Sequence, residues 1–99
     1  MTRRSVFRAA ARREFDDAAD WYERQVNGLG QSLIDEINVV LERIRETPGQ
    51  FPIVFEPDVR QALVSRFPYS ILFRASAQQI RVIAVFHGHR DPRIWQRRV

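Results

Sequence analysis

Cysteine and lysine are both absent from this 99-residue chain, so each of its 16 basic residues is an arginine. Without cysteine there is no disulfide, no thiolate metal site and no cysteine nucleophile, a composition that suits a reducing cytoplasm. The missing lysines fit an arginine-favouring coding bias, which leaves the placement of the arginines as the informative feature. Long apolar runs are missing too: the longest uninterrupted one, Val82 to Phe86, is far too short to span a bilayer. The opening MTRRSVFRAAARREF has no signal-peptide core, because Arg8, Arg12 and Arg13 break every apolar run and Glu14, Asp16 and Asp17 follow. The expectation is a soluble, unprocessed, cytoplasmic chain with no membrane partner. Acid is scarce in one half only. From Val59 to Val99 eight arginines face a single acid, Asp91, a formal +7, whereas residues 1–58 hold eight arginines and eleven acids, a formal −3.

What is present is the composition of a folded globule, 44% hydrophobic with 11% aromatics and no repeat or low-complexity stretch. Residues 1–99 are expected to form one domain, which at this size buries roughly 60–70% of its unfolded surface. Ala11, Phe15, Ala18, Tyr22 and Val26 recur at helical steps and predict a helix from Ala9 to Val26. Asn27 and Gly28 supply a left-handed stop. Leu33, Ile37, Val40, Leu41 and Ile44 mark a second helix over about 31–46, ended by Pro48 and Gly49. So short a link predicts an antiparallel hairpin with one shared apolar face.

Three strands are expected to cover that face, at about 59–65, 69–75 and 80–87, joined as an antiparallel meander by short turns. The last is apolar on both faces and should lie inside the sheet, with a further strand near 5–8 beside it. The fold class is therefore α+β in the order β-α-α-β-β-β, a helix hairpin on a small antiparallel sheet. Strand parity places Arg60 and Arg66 on one face, and likewise Arg81 and His87, each pair about 20 Å apart and so out of contact.

Three kinds of chemistry fit this layout. A metal-free ribonuclease needs a proton acceptor, a proton donor and fixed positive charge around the phosphorane. His87, at a strand end near Arg81, Arg90 and Arg93, suits such a role, with Glu56, Tyr69 and His89 as partners and Arg60, Arg66 and Arg81 as cations. The bland alternative is a structural or solvated histidine. His87 and His89 form an H-x-H pair, but one nearby acid amid arginines makes a poor dication site, and no metal or cofactor is expected. The basic tail could also meet nucleic acid, with Phe67, Tyr69, Phe73 or Trp95 stacking on bases, against the plain reading of core aromatics and a solvated face. Trp95, in PRIWQRR beyond the last strand, must fold back on the body or await a partner.

The segments AAARREFDDAADWYERQVNGLGQSLIDEI, ETPGQFP, VRQALVSRFPYSILF and IRVIAVFHGHRDPRIWQRR together resemble the ParE branch of the RelE/ParE toxin superfamily, found in plasmid-stabilisation and chromosomal toxin–antitoxin modules. The resemblance covers nearly the whole chain. It implies a small toxin neutralised by a cognate antitoxin whose flexible C-terminal segment wraps it in a hetero-oligomer, by helix-in-groove or strand-addition contacts. ParE-like members inhibit DNA gyrase, and RelE-like members cleave messenger RNA on the ribosome. His87 matches the position of a histidine used by some nuclease relatives. Those nucleases also carry an arginine at the start of the middle strand, where this chain has Tyr69 and Ser70, a departure that argues against cleavage. The leading expectation is therefore a non-enzymatic gyrase inhibitor with Arg90, Arg93, Trp95, Arg97 and Arg98 as its contact set. The alternatives are a ribosome-dependent endoribonuclease using His87, and a non-toxic relative that only binds its antitoxin.

Overall fold

The computed structural model describes residues 3–99; Met1 and Thr2, part of the single domain expected over 1–99, lie outside it. Strand β1 (Arg4–Phe7) leads into helices α1 (Ala9–Gln25) and α2 (Leu29–Glu46). Strands β2 (Ile53–Phe55), β3 (Val59–Leu63), β4 (Tyr69–Ala75) and β5 (Gln79–His87) follow, and a short helix α3 (Arg93–Gln96) ends the chain. The expected α+β order is present, with β2 and α3 as elements the sequence pattern did not announce. A three-residue strand and a four-residue helix are too short to show a period.

The helix hairpin closes around glycine. Gly28 takes a φ of 89°, and the Glu23 carboxylate accepts hydrogen bonds from the amides of Gly28 at 2.8 Å and Gly30 at 3.0 Å. Those amides belong to the first turn of α2, which has no partner within the helix for them. A Cβ at Gly30 would collide with the Ala19 carbonyl oxygen, so the G-L-G sequence lets the two helices approach backbone to side chain.

The five strands form one sheet in the order β1-β5-β4-β3-β2. The meander β3-β4-β5 is antiparallel as expected, but β1 runs parallel to β5, which makes the sheet mixed. The reason is topological. The hairpin α1–α2 returns the chain to the end of the sheet where β1 began, and the meander then delivers β5 alongside β1 in the same direction.

Strand parity departs from the expectation at one residue. Leu72 pairs with Ala84 and Phe73 with Val82, so Ile83 is an extra residue, a bulge in β5. Ile80 and Val82 face the helices, whereas Ile83, Ala84 and Phe86 pack on the opposite side, and Val85 returns to the helices. Arg81 and His87, expected to share a face, therefore lie on opposite faces. Arg66 also departs: β3 stops at Leu63, and Arg66 sits in the following turn at a φ of 71°, paired with Glu36 of α2 at 3.2 Å.

Helices α1 and α2 bury the larger core, from Ala11, Phe15, Leu33, Ile37 and Ile44 against Ile71, Phe73, Ile80, Val82 and Val85. The smaller core lies on the other side of the sheet and is closed by α3. Among the described residues no helix is long and apolar enough to cross a membrane.

Candidate functional site

The C-terminal tail folds back on the sheet. Asp91 starts the turn: its carboxylate accepts the Arg93 amide at 3.0 Å and the Arg93 guanidinium at 2.7 Å and 2.9 Å. Pro92, with φ −61°, leads into the single turn of α3. Ile94 and Trp95 then point inward. Trp95 is buried, edge-on to Phe55 with ring centroids 5.7 Å apart, and seals Val59, Leu72, Ile83, Ala84 and Phe86. Of the two outcomes open to this tryptophan, it takes the first, as core.

One acid holds the tail in place. Glu14 of α1, only 12% exposed, accepts two hydrogen bonds from the Arg98 guanidinium at 3.0 Å and 2.8 Å, one from Arg90 at 3.2 Å, and one from the Val85 amide at 3.1 Å. Arg98 also donates to the Ile83 carbonyl at 3.0 Å, and its own carbonyl accepts Arg8 at 2.9 Å. Arg90 lies over the Phe86 ring at 4.7 Å. A charged bidentate pair, largely sheltered from water, is among the stronger polar contacts available to a small protein. Glu14 thus ties α1, β5 and the tail at one point. Sequence reasoning passed over it, since an acid one turn into an amphipathic helix reads as a solvated position; only the tertiary fold brings it opposite residues 76 and 84 positions away.

The five tail residues consequently divide by exposure. Trp95 and Arg98 are inward and structural in their contacts. Arg97 is exposed and makes no ion pair among the described residues; Arg93 is exposed and held by Asp91, and Arg90 is half exposed and held by Glu14.

His87 lies elsewhere, on the helix side, at the rim of a cleft of about 240 Å³ lined by Glu14, Asp17, Trp21, Tyr69, Val85 and Arg90. Its Nδ1 accepts the His89 amide at 3.0 Å, and its ring stands edge-on to Tyr69 at 5.2 Å. Burial, reinforced by Tyr22, raises the Tyr69 phenol above its ordinary value, while Arg90 pulls the other way. Tyr69 is therefore a neutral hydrogen-bonding group at neutral pH and no base.

The arginines proposed to serve His87 are not there. Arg60 donates to the carbonyls of Phe51 and Gly49. Arg66 is at the β3–β4 turn with Glu36. Arg81 is on the opposite face, across from Arg74 on β4. Glu56 is exposed in the loop before β3. The one cation beside His87 is Arg90, already shared with Glu14 and balanced by Asp17 in the same cleft. Near Tyr69, the neighbouring Ser70 accepts a bond from Gln61 at 3.2 Å, and the guanidinium at that end of β4 is Arg90, from beyond β5 and engaged by Glu14. The aromatic candidates for base stacking are mostly core: Phe67 and Phe73 are buried like Trp95, and Tyr69 is half buried. His87 and His89 have ring centroids 5.2 Å apart, yet among the described residues no group of three histidines or acids is arranged to hold a metal.

A family model described as the ParE toxin of type II toxin–antitoxin system, parDE, matches residues 6–92. Comparison with curated proteins gives no match. Among solved structures, one described as a chromosomal ParDE TA system from P. aeruginosa superposes with a TM-score of 0.73 at 18% identity, covering 87% of this chain and 96% of that one. At that identity the likeness is one of fold.

Proposed function

The chain belongs to the ParE toxin family of type II toxin–antitoxin systems, and from that premise we propose that it is the toxin of such a module, silenced by a cognate antitoxin and acting on DNA gyrase by binding. The observation that carries the non-enzymatic reading is the dispersal of Arg60, Arg66 and Arg81 away from His87. Phosphoryl transfer without a metal depends on fixed positive charge at the phosphorane. The His87 cleft instead offers one arginine, Arg90, beside Glu14 and Asp17, and the nearby Arg98 is held by Glu14.

The target follows from the ParE branch resemblance, and the tail supplies a surface for it. Arg90, Arg93 and Arg97 stand out from a segment fixed by Trp95 and Arg98, so binding would not bear the entropy of ordering those residues. Trp95 and Arg98 therefore act in this reading as supports for the contact set. For the antitoxin, Ile53, Val54 and Leu63 expose apolar surface along β2 and β3, and β2 leaves one edge of the sheet open. An amphipathic or extended segment docks on such a surface by strand addition.

A supercoiling assay decides the target. Micromolar purified protein is expected to inhibit gyrase, and a combined Arg93→Ala and Arg97→Ala variant of unchanged melting temperature to lose most of that inhibition. Unaffected supercoiling would remove gyrase. New 5′ ends on messenger RNA after induction, abolished by His87→Ala, would instead establish the endoribonuclease. Harmless induction with a co-purifying neighbour would leave only antitoxin binding.

A further inference from the structure

The sheet face away from α1 and α2 is covered only in part, by the tail over Val59, Leu72, Ile83, Ala84 and Phe86. Where Trp95 ends, the surface continues with side chains of β1, β5 and β4 that no element covers. Cross-strand partners share a face, and the register pairs Arg4 with Gln79, Val6 with Arg81, and Arg81 with Arg74. Arg8, next in parity after Arg4 and Val6, is on the same side, where its guanidinium meets the tail carbonyl of Arg98. Four arginines thus border one bare patch, and Asp58, Arg74, Ser76, Gln79 and Arg81 line a recess of about 260 Å³ within it.

Charge there is poorly compensated. Asp58 pairs with Arg74 at 2.8 Å, whereas Arg4, Arg8 and Arg81 have no carboxylate partner among the described residues. Arg74 and Arg81 are directly opposite across the ladder, and Asp58, the one carboxylate in the recess, is paired with Arg74 and leaves Arg81 without a partner of its own among the described residues. Nine of the twelve acids lie on the far side, on α1 and α2, and Asp58 is the acid that lines the recess, so the patch meets a limited opposing field from its own protein.

We propose that this bare patch of the sheet binds the phosphodiester backbone of a nucleic acid, with Arg4, Arg8 and Arg81 as contacts and Arg74 at their edge. Val6, Arg81 and Arg74 form the row across three neighbouring strands at roughly 4.8 Å spacing, about 10 Å wide. Arg4 and Arg8 flank it two residues to either side of Val6, a cluster that spans about three successive charges along one nucleic-acid strand. Guanidinium groups suit this use because they fork two donors onto phosphate oxygens. With no aromatic side chain exposed on the patch to stack on bases, recognition is of backbone and independent of sequence. The site is separate from the gyrase reading and stands or falls without it.

The test is fluorescence anisotropy of the full chain with a labelled duplex DNA and, in parallel, a labelled single-stranded RNA, each of about 20 nucleotides. Three phosphate contacts predict that affinity falls about fortyfold for the duplex and about twentyfold for the single strand between about 50 and about 200 mM salt. Arg81→Glu and Arg4→Glu are each expected to weaken binding about fivefold or more and to reduce the salt slope by about one ion. Arg24→Glu, equal in charge change but at the end of α1, is expected to stay within about twofold. Arg81→Glu places a carboxylate across from Arg74 and should leave the melting temperature intact; Arg81→Gln, which only removes charge, repeats the test with less disturbance. The tighter of the two probes identifies the nucleic acid. Equal losses for all three charge reversals, or competition by poly-glutamate as effective as by unlabelled nucleic acid, would overturn the proposal.

Discussion

The two faces of the sheet are finished in different ways. Among the described residues, seventeen buried ones form one apolar mass toward the helices and six do so on the other side, so the second face has little hydrophobic reserve with which to hold its cover. Its cover is the tail, fixed by one tryptophan and one carboxylate. The first face holds most of the buried apolar side chains, and the second leaves Arg4, Arg8 and Arg81 without a carboxylate partner among the described residues. Because the faces share strands, β5 above all, a side chain can be assigned to one role or the other only after the bulge at Ile83 is known.

Truncation on each face should separate them. Phe73→Ala removes a fully buried ring that meets Phe51 edge-on, and is expected to cost about 3–5 kcal/mol in urea unfolding. Trp95→Ala removes a side chain buried almost as completely, yet its element is a single terminal turn that can open locally. A global loss of about 2 kcal/mol or less is expected, with hydrogen-exchange protection over 90–99 lost first. Equal costs and a cooperative loss of protection everywhere would show that the faces are one core.

Glu14→Gln comes next in size. The substitution keeps an acceptor for the Val85 amide but turns an amide toward Arg98 and removes the charge that two guanidinium groups share. About 1–2 kcal/mol should be lost, together with faster exchange in the tail. If tail protection and the urea midpoint both stay at wild-type values, Glu14 does not hold the tail. High pH should tell on the helix side instead. Burial keeps the Tyr69 proton on above the ordinary phenol value of 10.0, so the unfolded chain deprotonates first and stability declines as pH rises through about 10. Tyr69→Phe should flatten that decline.

Helical spacing in the sequence placed α1 and α2 within a few residues, because Phe15, Leu33, Ile37 and Ile44 are spaced for one buried stripe and Asn27 and Gly28 mark the break between them, where α1 closes at Val26 and Gly28 caps the start of α2. The meander was legible from short turns and β-rich runs. Face assignment was legible only up to Val82. A bulge depends on how two strands meet, and neither strand encodes it alone, so His87 was grouped with the wrong arginine. Arg66 was misplaced for a related reason: β3 ends two residues short of the expected Ser65, and the turn carries Arg66 to Glu36. Glu14 was invisible because its partners are distant in the chain. The tail arginines were legible as charge, but which of them point outward was fixed by the burial of Trp95 and the pairing of Arg98.

The smallest effect expected lies at the entrance to α3. Hydrogen bonds from the Arg93 side chain, and then from its backbone amide, hold the Asp91 carboxyl below its ordinary value. A carboxylate with a depressed pKa in the fold contributes above the unfolded value, and that contribution is lost as pH falls through the folded value. Acid should therefore release Arg93 and loosen the first turn of α3 while the seventeen-residue core remains intact. Because both side chains lie at the surface, the pair is screened by salt, and neither melting temperature nor urea midpoint is expected to move measurably between low and moderate ionic strength. Nuclear magnetic resonance reads it directly: the Arg93 amide shift should titrate below the usual carboxylate range, and Asp91→Asn should abolish that titration while the α1 and β5 amides stay still. A simultaneous shift of the core amides would mean that the tail and the helix-covered face unfold together, and the contrast between the two faces would fail at its most exposed point.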